Sequence, residues 1–88
     1  MTQQLLMIED DARLAAMVGE YLRQSGYGFS HAGDGASGLA ALQASPPDLV
    51  ILDLTLPDGD GLDLCRVIRE RSSAYVLVLS GRDEEIDK

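Results

Sequence analysis

The chain has 88 residues, 45 % of them apolar, and a formal charge of −8 from fifteen Asp and Glu against seven Lys and Arg. That leaves room for one small domain rather than two, and the scattered bases give no footprint for nucleic acid, which needs clustered positive charge. A lone Cys excludes an internal disulfide and fits a reducing compartment; with no apolar stretch near the ~20 residues of a membrane span and no basic signal-peptide flank, a cytoplasmic protein without a membrane partner is expected.

The first element is a short apolar strand over 4–8, running into Glu9-Asp10-Asp11. A helix follows over about 12–25, with Leu14, Val18, Tyr21, Leu22 and Ser25 on one stripe at helical spacing. Asp11 suits its N-cap and Gly26 its C′ position. Met7 and Met17 are expected in the core. The second strand, Tyr27 to Ala32, is poor in apolar residues and reads as an edge. Asp34 suits the cap of a second helix carrying Ala36, Leu39, Ala40 and Gln43, which Ser45-Pro46-Pro47 stops. The third strand, Asp48 to Asp53, is apolar on both faces and reads as central. Leu56-Pro57-Asp58-Gly59-Asp60-Gly61 is a turn-rich loop. A third helix over 61–71 buries Leu64, Val67 and Ile68, with Cys65 a small packed residue. The fourth strand is Tyr75 to Leu79, and Asp83 to Lys88 begin another helical pattern.

Strands alternating with helices imply a parallel α/β sheet. The fourth strand has no polar alternation and asks for cover on both faces and a neighbour outside it. No later segment supplies one, so residues 1–88 are expected to be the N-terminal part of a longer domain. A bare fourth strand also invites a homodimer or a strand swap.

Three apolar runs end in groups able to do chemistry: Ile8 before Glu9-Asp10, Leu52 before Asp53, and Leu79 before Ser80. Parallel strands would bring these ends to one rim, where ligands of open α/β sheets bind. Carboxylates that close stay ionised only with a compensating cation. An all-oxygen donor set suits Mg²⁺, which keeps waters and phosphate oxygens in its shell. A carboxylate can also accept a phosphoryl group as an acyl phosphate. Asp11, Asp34 and Asp60 read as caps instead, and His31, without a nearby Cys or His, reads as a surface residue rather than a metal ligand.

Two other readings are weaker. Gly33-x-Gly35-x-x-Gly38 matches a dinucleotide-binding fingerprint, with Asp53 about 20 residues on, but the strand before it is polar and Asp34 would face the pyrophosphate. An aspartyl-nucleophile phosphatase would want an acid two residues after Asp53, where Thr55 stands.

LLMIEDD at 5–11, AGDGASGLAAL at 32–42, DLVILDLTLPDGDGLDLCRVIR at 48–69 and VLVLSGR at 76–82 together resemble the receiver domain of bacterial two-component response regulators. The resemblance covers the whole chain and is nearest to regulators with winged-helix DNA-binding output domains. It implies a flavodoxin-like, doubly wound parallel sheet, incomplete here at four strands in the order 2-1-3-4. It implies a phosphoacceptor switch rather than a conventional enzyme, fed by a sensor histidine kinase onto Asp53. Mg²⁺ would be held by Asp10, Asp53 and the backbone carbonyl of Thr55, with Glu9 reaching it through water. Ser80 would be the switch hydroxyl, Gly81 would leave the phosphate accessible, and Pro57 and Gly61 would shape the loop. DNA would be reached only through an output domain outside these residues. The family's Lys after a fifth strand has no counterpart, and Lys88, the only Lys, does not match it. The alternative from another class is an interaction fragment of the same scaffold, inert to phosphorylation.

Overall fold

The computed structural model describes residues 2–53, 55–56 and 59–79. In chain order these form β1 (Gln4–Ile8), α1 (Ala12–Gln24), β2 (Gly28–Ala32), α2 (Gly35–Ala44), β3 (Leu49–Asp53), β4 (Thr55–Leu56), β5 (Gly59–Asp60), α3 (Gly61–Arg71) and β6 (Tyr75–Leu79). The main sheet is parallel throughout, in the order β2-β1-β3-β6. With β6 as the fourth strand of the main sheet, this is the expected 2-1-3-4 order. The expected helix over 83–88 lies outside the described residues.

The sheet separates two apolar layers. Leu6, Ile8, Val50 and Leu52 point to one face, where Leu42 of α2 and Ile68 of α3 cover them. Met7 and Ile51 point to the other, where Ala15 of α1 packs, with Val18 and Leu22 half-buried beside it. One helix on one face and two on the other is the doubly wound arrangement. β3 is interior and sequestered, with Val50 and Leu52 fully buried, as an apolar run covered on both faces should be. β2 is an edge, as its polar sequence suggested.

Helix ends follow the sequence closely. Asp11 Oδ1 accepts the backbone N–H of Arg13 at 3.0 Å and of Leu14 at 3.1 Å, satisfying two of the donors that a helix start leaves orphaned. Gly26, with φ of 97°, follows the last turn of α1 and takes the left-handed backbone that favours glycine. Asp34 Oδ1 accepts Ser37 N–H at 2.7 Å and caps α2.

The helix phases differ from the sequence reading. Leu14, Met17 and Tyr21 face solvent, with Met17 and Tyr21 68 % and 70 % exposed. The contact stripe of α1 is Ala15, Val18, Gly19 and Leu22. The reason is proximity: a Cβ on Gly19 would lie 2.6 Å from the Phe29 ring, so only small residues let the helix approach β2. In α2 the buried residues are Gly35, Gly38 and Leu42, while Ala36, Ala40 and Gln43 are exposed. Here a Cβ on Gly38 would come within 2.5 Å of Ile8 Cδ1. Met7 and the half-buried Cys65 pack as expected. In α3, Ile68 is fully buried and Leu64 and Val67 are half-buried.

The segment after β3 is more regular than the expected loop. Thr55 pairs with Asp60 and Leu56 with Gly59 in a small antiparallel ladder. Beyond it, β6 is an edge of the main sheet among the described residues, and Tyr75 and Leu77 are 82 % and 50 % exposed on it.

Candidate functional site

Register brings the acids together. Ile8 pairs with Leu52 across β1 and β3, so Glu9 and Asp53 each follow one residue later on neighbouring, co-directed strands. Side chains alternate along a strand, and paired residues share a face. Glu9 and Asp53 therefore have the parity of Met7 and Ile51, at the carboxyl rim above the α1 layer. Asp10 follows in the turn that leads to the Asp11 cap.

One carboxylate oxygen from each of Glu9, Asp10 and Asp53 lies within 4.8 Å of the others. Glu9 and Asp53 are each 5 % exposed, whereas Asp10 is open to solvent. The pocket is thus two sequestered acids with an accessible third at its mouth. Glu9 is the group that bears the cost. Its pKa is raised to about 7, first by loss of water around its carboxylate, then by the charge of Asp53 and by contacts with Asp53 and Asp10 that favour its protonated form. The N–H of Asp11, donated to Glu9 Oε2 at 3.1 Å, works in the opposite direction.

The backbone of Glu9 is fixed from β2. Its N–H donates to the Ala32 carbonyl at 2.9 Å, and its carbonyl lies 2.6 Å from His31 Nε2. His31 is thus a surface residue, as the sequence suggested, but one with a defined partner at the site. Sequence reasoning missed that partner because a backbone carbonyl carries no residue signature.

These residues fit a hard divalent cation. All the donors are oxygens, one from each acid lies within 4.8 Å of the others, and burial leaves Glu9 short of compensating charge. Thr55 lies two residues beyond Asp53, in β4. Gly61 is buried at the start of α3. Ser80, Gly81 and Pro57 lie outside the described residues. The dinucleotide reading meets an obstacle: the N-terminus of α2, where a pyrophosphate would sit, is already capped by the carboxylate of Asp34. The third glycine of that pattern, Gly38, is accounted for by its approach to Ile8.

Comparison with known proteins points one way. The family model described as the response regulator receiver domain matches residues 5–88. The chain is 40 % identical over 87 residues to the DNA-binding response regulator MtrA of Mycolicibacterium paratuberculosis, covering 99 % of this chain and 39 % of that protein. The CheY-like response regulator receiver domain from Methylobacillus flagellatus superposes with a TM-score of 0.88 at 28 % identity, over 100 % of this chain and 77 % of that one. Response regulator TrrA from Thermotoga maritima, solved in complex with Mg²⁺ and BeF, gives a TM-score of 0.87 at 25 % identity, over 99 % of this chain and 76 % of that one.

Proposed function

The chain belongs to the response regulator receiver family, and from that membership we propose that Asp53 is a phosphoacceptor that takes its phosphoryl group from a sensor histidine kinase. The observation that carries this reading is the gathering of Glu9, Asp10 and Asp53 within 4.8 Å at the carboxyl rim of a parallel sheet. Of the three, Asp53 is the one that belongs to a strand, as the last residue of β3.

Asp53 acts as the nucleophile. A carboxylate oxygen forms a bond to phosphorus while the phosphorus–nitrogen bond to the donor imidazole breaks, and that nitrogen keeps the electron pair and takes up a proton. Asp10, Asp53 and the carbonyl of Thr55 would hold Mg²⁺, with Glu9 reaching it through water. The chemistry such a cation would supply is an offset to the repulsion between the Asp53 carboxylate and the incoming phosphoryl oxygens. Glu9 and Asp10 thus prepare the site, and the burial of Asp53 restricts water at the acyl phosphate. The Ser80 hydroxyl donates to a phosphoryl oxygen and serves as the switch, Gly81 leaves the phosphate open, and Pro57 and Gly61 shape the loop between β3 and α3. The role is regulatory, with no chemistry beyond self-catalysed gain and loss of the phosphoryl group.

The chain spans 39 % of MtrA, which is named as DNA-binding. We assign residues 1–88 to the N-terminal part of a receiver domain, and any contact with DNA to an output domain outside these residues. No helix among the described residues is long and apolar enough to cross a membrane, which accords with a cytoplasmic regulator. The exposed apolar side chains of β6 support a second association, with another copy of the chain, through that strand. Light scattering that finds only monomer across a concentration series would dismiss the self-association.

The phosphoacceptor reading is tested by incubating the chain with Mg²⁺ and acetyl phosphate and measuring intact mass. The expected result is a single phosphoryl adduct on wild type and none on Asp53→Asn. An adduct that persists in Asp53→Asn moves the acceptor elsewhere. No adduct on wild type favours the inert interaction fragment.

A further inference from the structure

We propose that His31 is a positioning residue that sets the affinity of the acid pocket for a divalent cation by holding the Glu9–Asp10 peptide in one orientation. The proposal rests on the cation reading of that pocket and adds a residue to it.

The argument begins with the ladder between β1 and β2. Met7 pairs with His31 and Ile8 with Ala32, the last pair of the two strands. The N–H of Glu9 extends the ladder by one bond, to the Ala32 carbonyl. In a continuing parallel pair, the Glu9 carbonyl would next accept a backbone N–H from the neighbouring strand. β2 stops at Ala32, however, and the chain turns into the Asp34 cap of α2. The ring of His31 stands beside that carbonyl, with Nε2 2.6 Å from the oxygen. A carbonyl oxygen only accepts, so Nε2 carries the hydrogen.

The placement follows from alternation. His31 shares its face with its ladder partner Met7, the same parity as Glu9, so its ring reaches along the sheet toward the rim. The edge strand thus grips Glu9 by both polar groups of its backbone. Fixing the carbonyl fixes the plane of the Glu9–Asp10 peptide. That plane sets where the Asp10 Cα lies, and with it the carboxylate at the mouth of the pocket. On the far side of the same turn, the Asp11 carboxylate is bound to Arg13 N–H and Leu14 N–H. The turn is pinned at both ends, and His31 supplies the pin nearest the acids.

Outer groups that hold metal ligands in place typically change metal affinity by 10–100-fold when removed. Mn²⁺ is the probe: it takes the same oxygen donors, and its binding to the full chain can be followed directly by electron paramagnetic resonance. His31→Leu keeps bulk but has no donor, and we expect binding about tenfold weaker. His31→Gln restores an N–H at similar reach and should bind close to wild type. His31→Asn keeps an amide too short to reach and should bind weakly. Circular dichroism establishes that each variant is folded. If His31→Leu fails to fold, the Gln and Asn pair decides: Gln tight with Asn weak supports the proposal, and equal affinities overturn it. A folded His31→Leu with wild-type affinity overturns it as well, while leaving the cation site intact. Wild type that binds no Mn²⁺ at millimolar concentration removes the site itself, and the proposal with it.

Discussion

Glu9 and Asp53 sit side by side at the ends of β1 and β3, both 5 % exposed, with carboxylate oxygens inside the same 4.8 Å cluster. Burial strips water from the Glu9 carboxylate, and the neighbouring Asp53 charge adds to that cost, so its pKa is raised to about 7. Its consequence for stability has a definite sign. Below the ordinary Glu value of 4.5, Glu9 is protonated whether the chain is folded or not, and it contributes no pH dependence. Between 4.5 and about 7 the folded chain holds a proton that the unfolded chain has lost, so stability falls as pH rises. Above about 7 the penalty is complete, on the order of a few kcal/mol. Urea unfolding without divalent cations should therefore show a chain less stable at pH 8 than at pH 5. Glu9→Gln should flatten that difference and be the more stable protein at pH 8. Equal slopes in both proteins would place the titration elsewhere.

A divalent cation should reverse the penalty. A cation such as Mg²⁺ would bind the charged form, so at pH 8 it should raise the unfolding midpoint, by about 2.7 kcal/mol of stability at one hundred times its Kd. Near pH 6 the same binding must displace a proton from Glu9. Calorimetry in two buffers of different ionisation enthalpy should then report proton release at pH 6 and almost none at pH 8. Asp10→Asn and Asp53→Asn should each lose the Mg²⁺-dependent stabilisation.

Gly38→Ala tests close packing against helix propensity. In an exposed helix the change would stabilise by nearly 1 kcal/mol. Here the new methyl would meet Ile8 Cδ1 at 2.5 Å, in a core where Ile8 is fully buried. Overpacking of this kind costs about 1–3 kcal/mol, so net destabilisation is expected in urea. Ile8→Val in the same chain should recover part of it, because it removes the methyl that collides.

The revised face of α1 makes a paired prediction. Met17 is 68 % exposed and Ala15 is 1 % exposed. Met17→Gln should change stability by less than about 0.5 kcal/mol. Ala15→Leu should destabilise by about 1–3 kcal/mol or more, since it drives a larger side chain into Met7 and Ile51. The opposite ranking in thermal melts would restore the stripe of Leu14 and Tyr21 as the contact face.

Much of this arrangement could be read from the chain itself. Strands β1, β3 and β6 are short apolar runs with abrupt polar ends, and their order fixed the rim on which Glu9, Asp10 and Asp53 meet. Caps were equally legible, because Asp11 and Asp34 stand where helix starts need an acceptor. The helix phases were not. Periodicity weights large apolar residues, and α1 carries Leu14, Met17 and Tyr21 on the side away from the sheet. Contact was decided instead by Ala15, Gly19, Gly35 and Gly38, whose value lies in what they lack. The β4–β5 ladder escaped notice because two residues per strand give no alternation to detect. His31 escaped because its partner is main chain. Ser80, Gly81 and Pro57 lie outside the described residues, so their roles rest on the family resemblance.

The greasy flank of β6 bears on how the protein behaves in solution. At a formal charge of −8, molecules repel one another at low ionic strength, and that repulsion keeps Tyr75 and Leu77 of different molecules apart. At 0.15 M salt the screening length shrinks to about 8 Å, which should let short-range attraction between these patches prevail. Colloidal stability should therefore decline as salt is added, and decline again on acidification as the carboxylates take up protons.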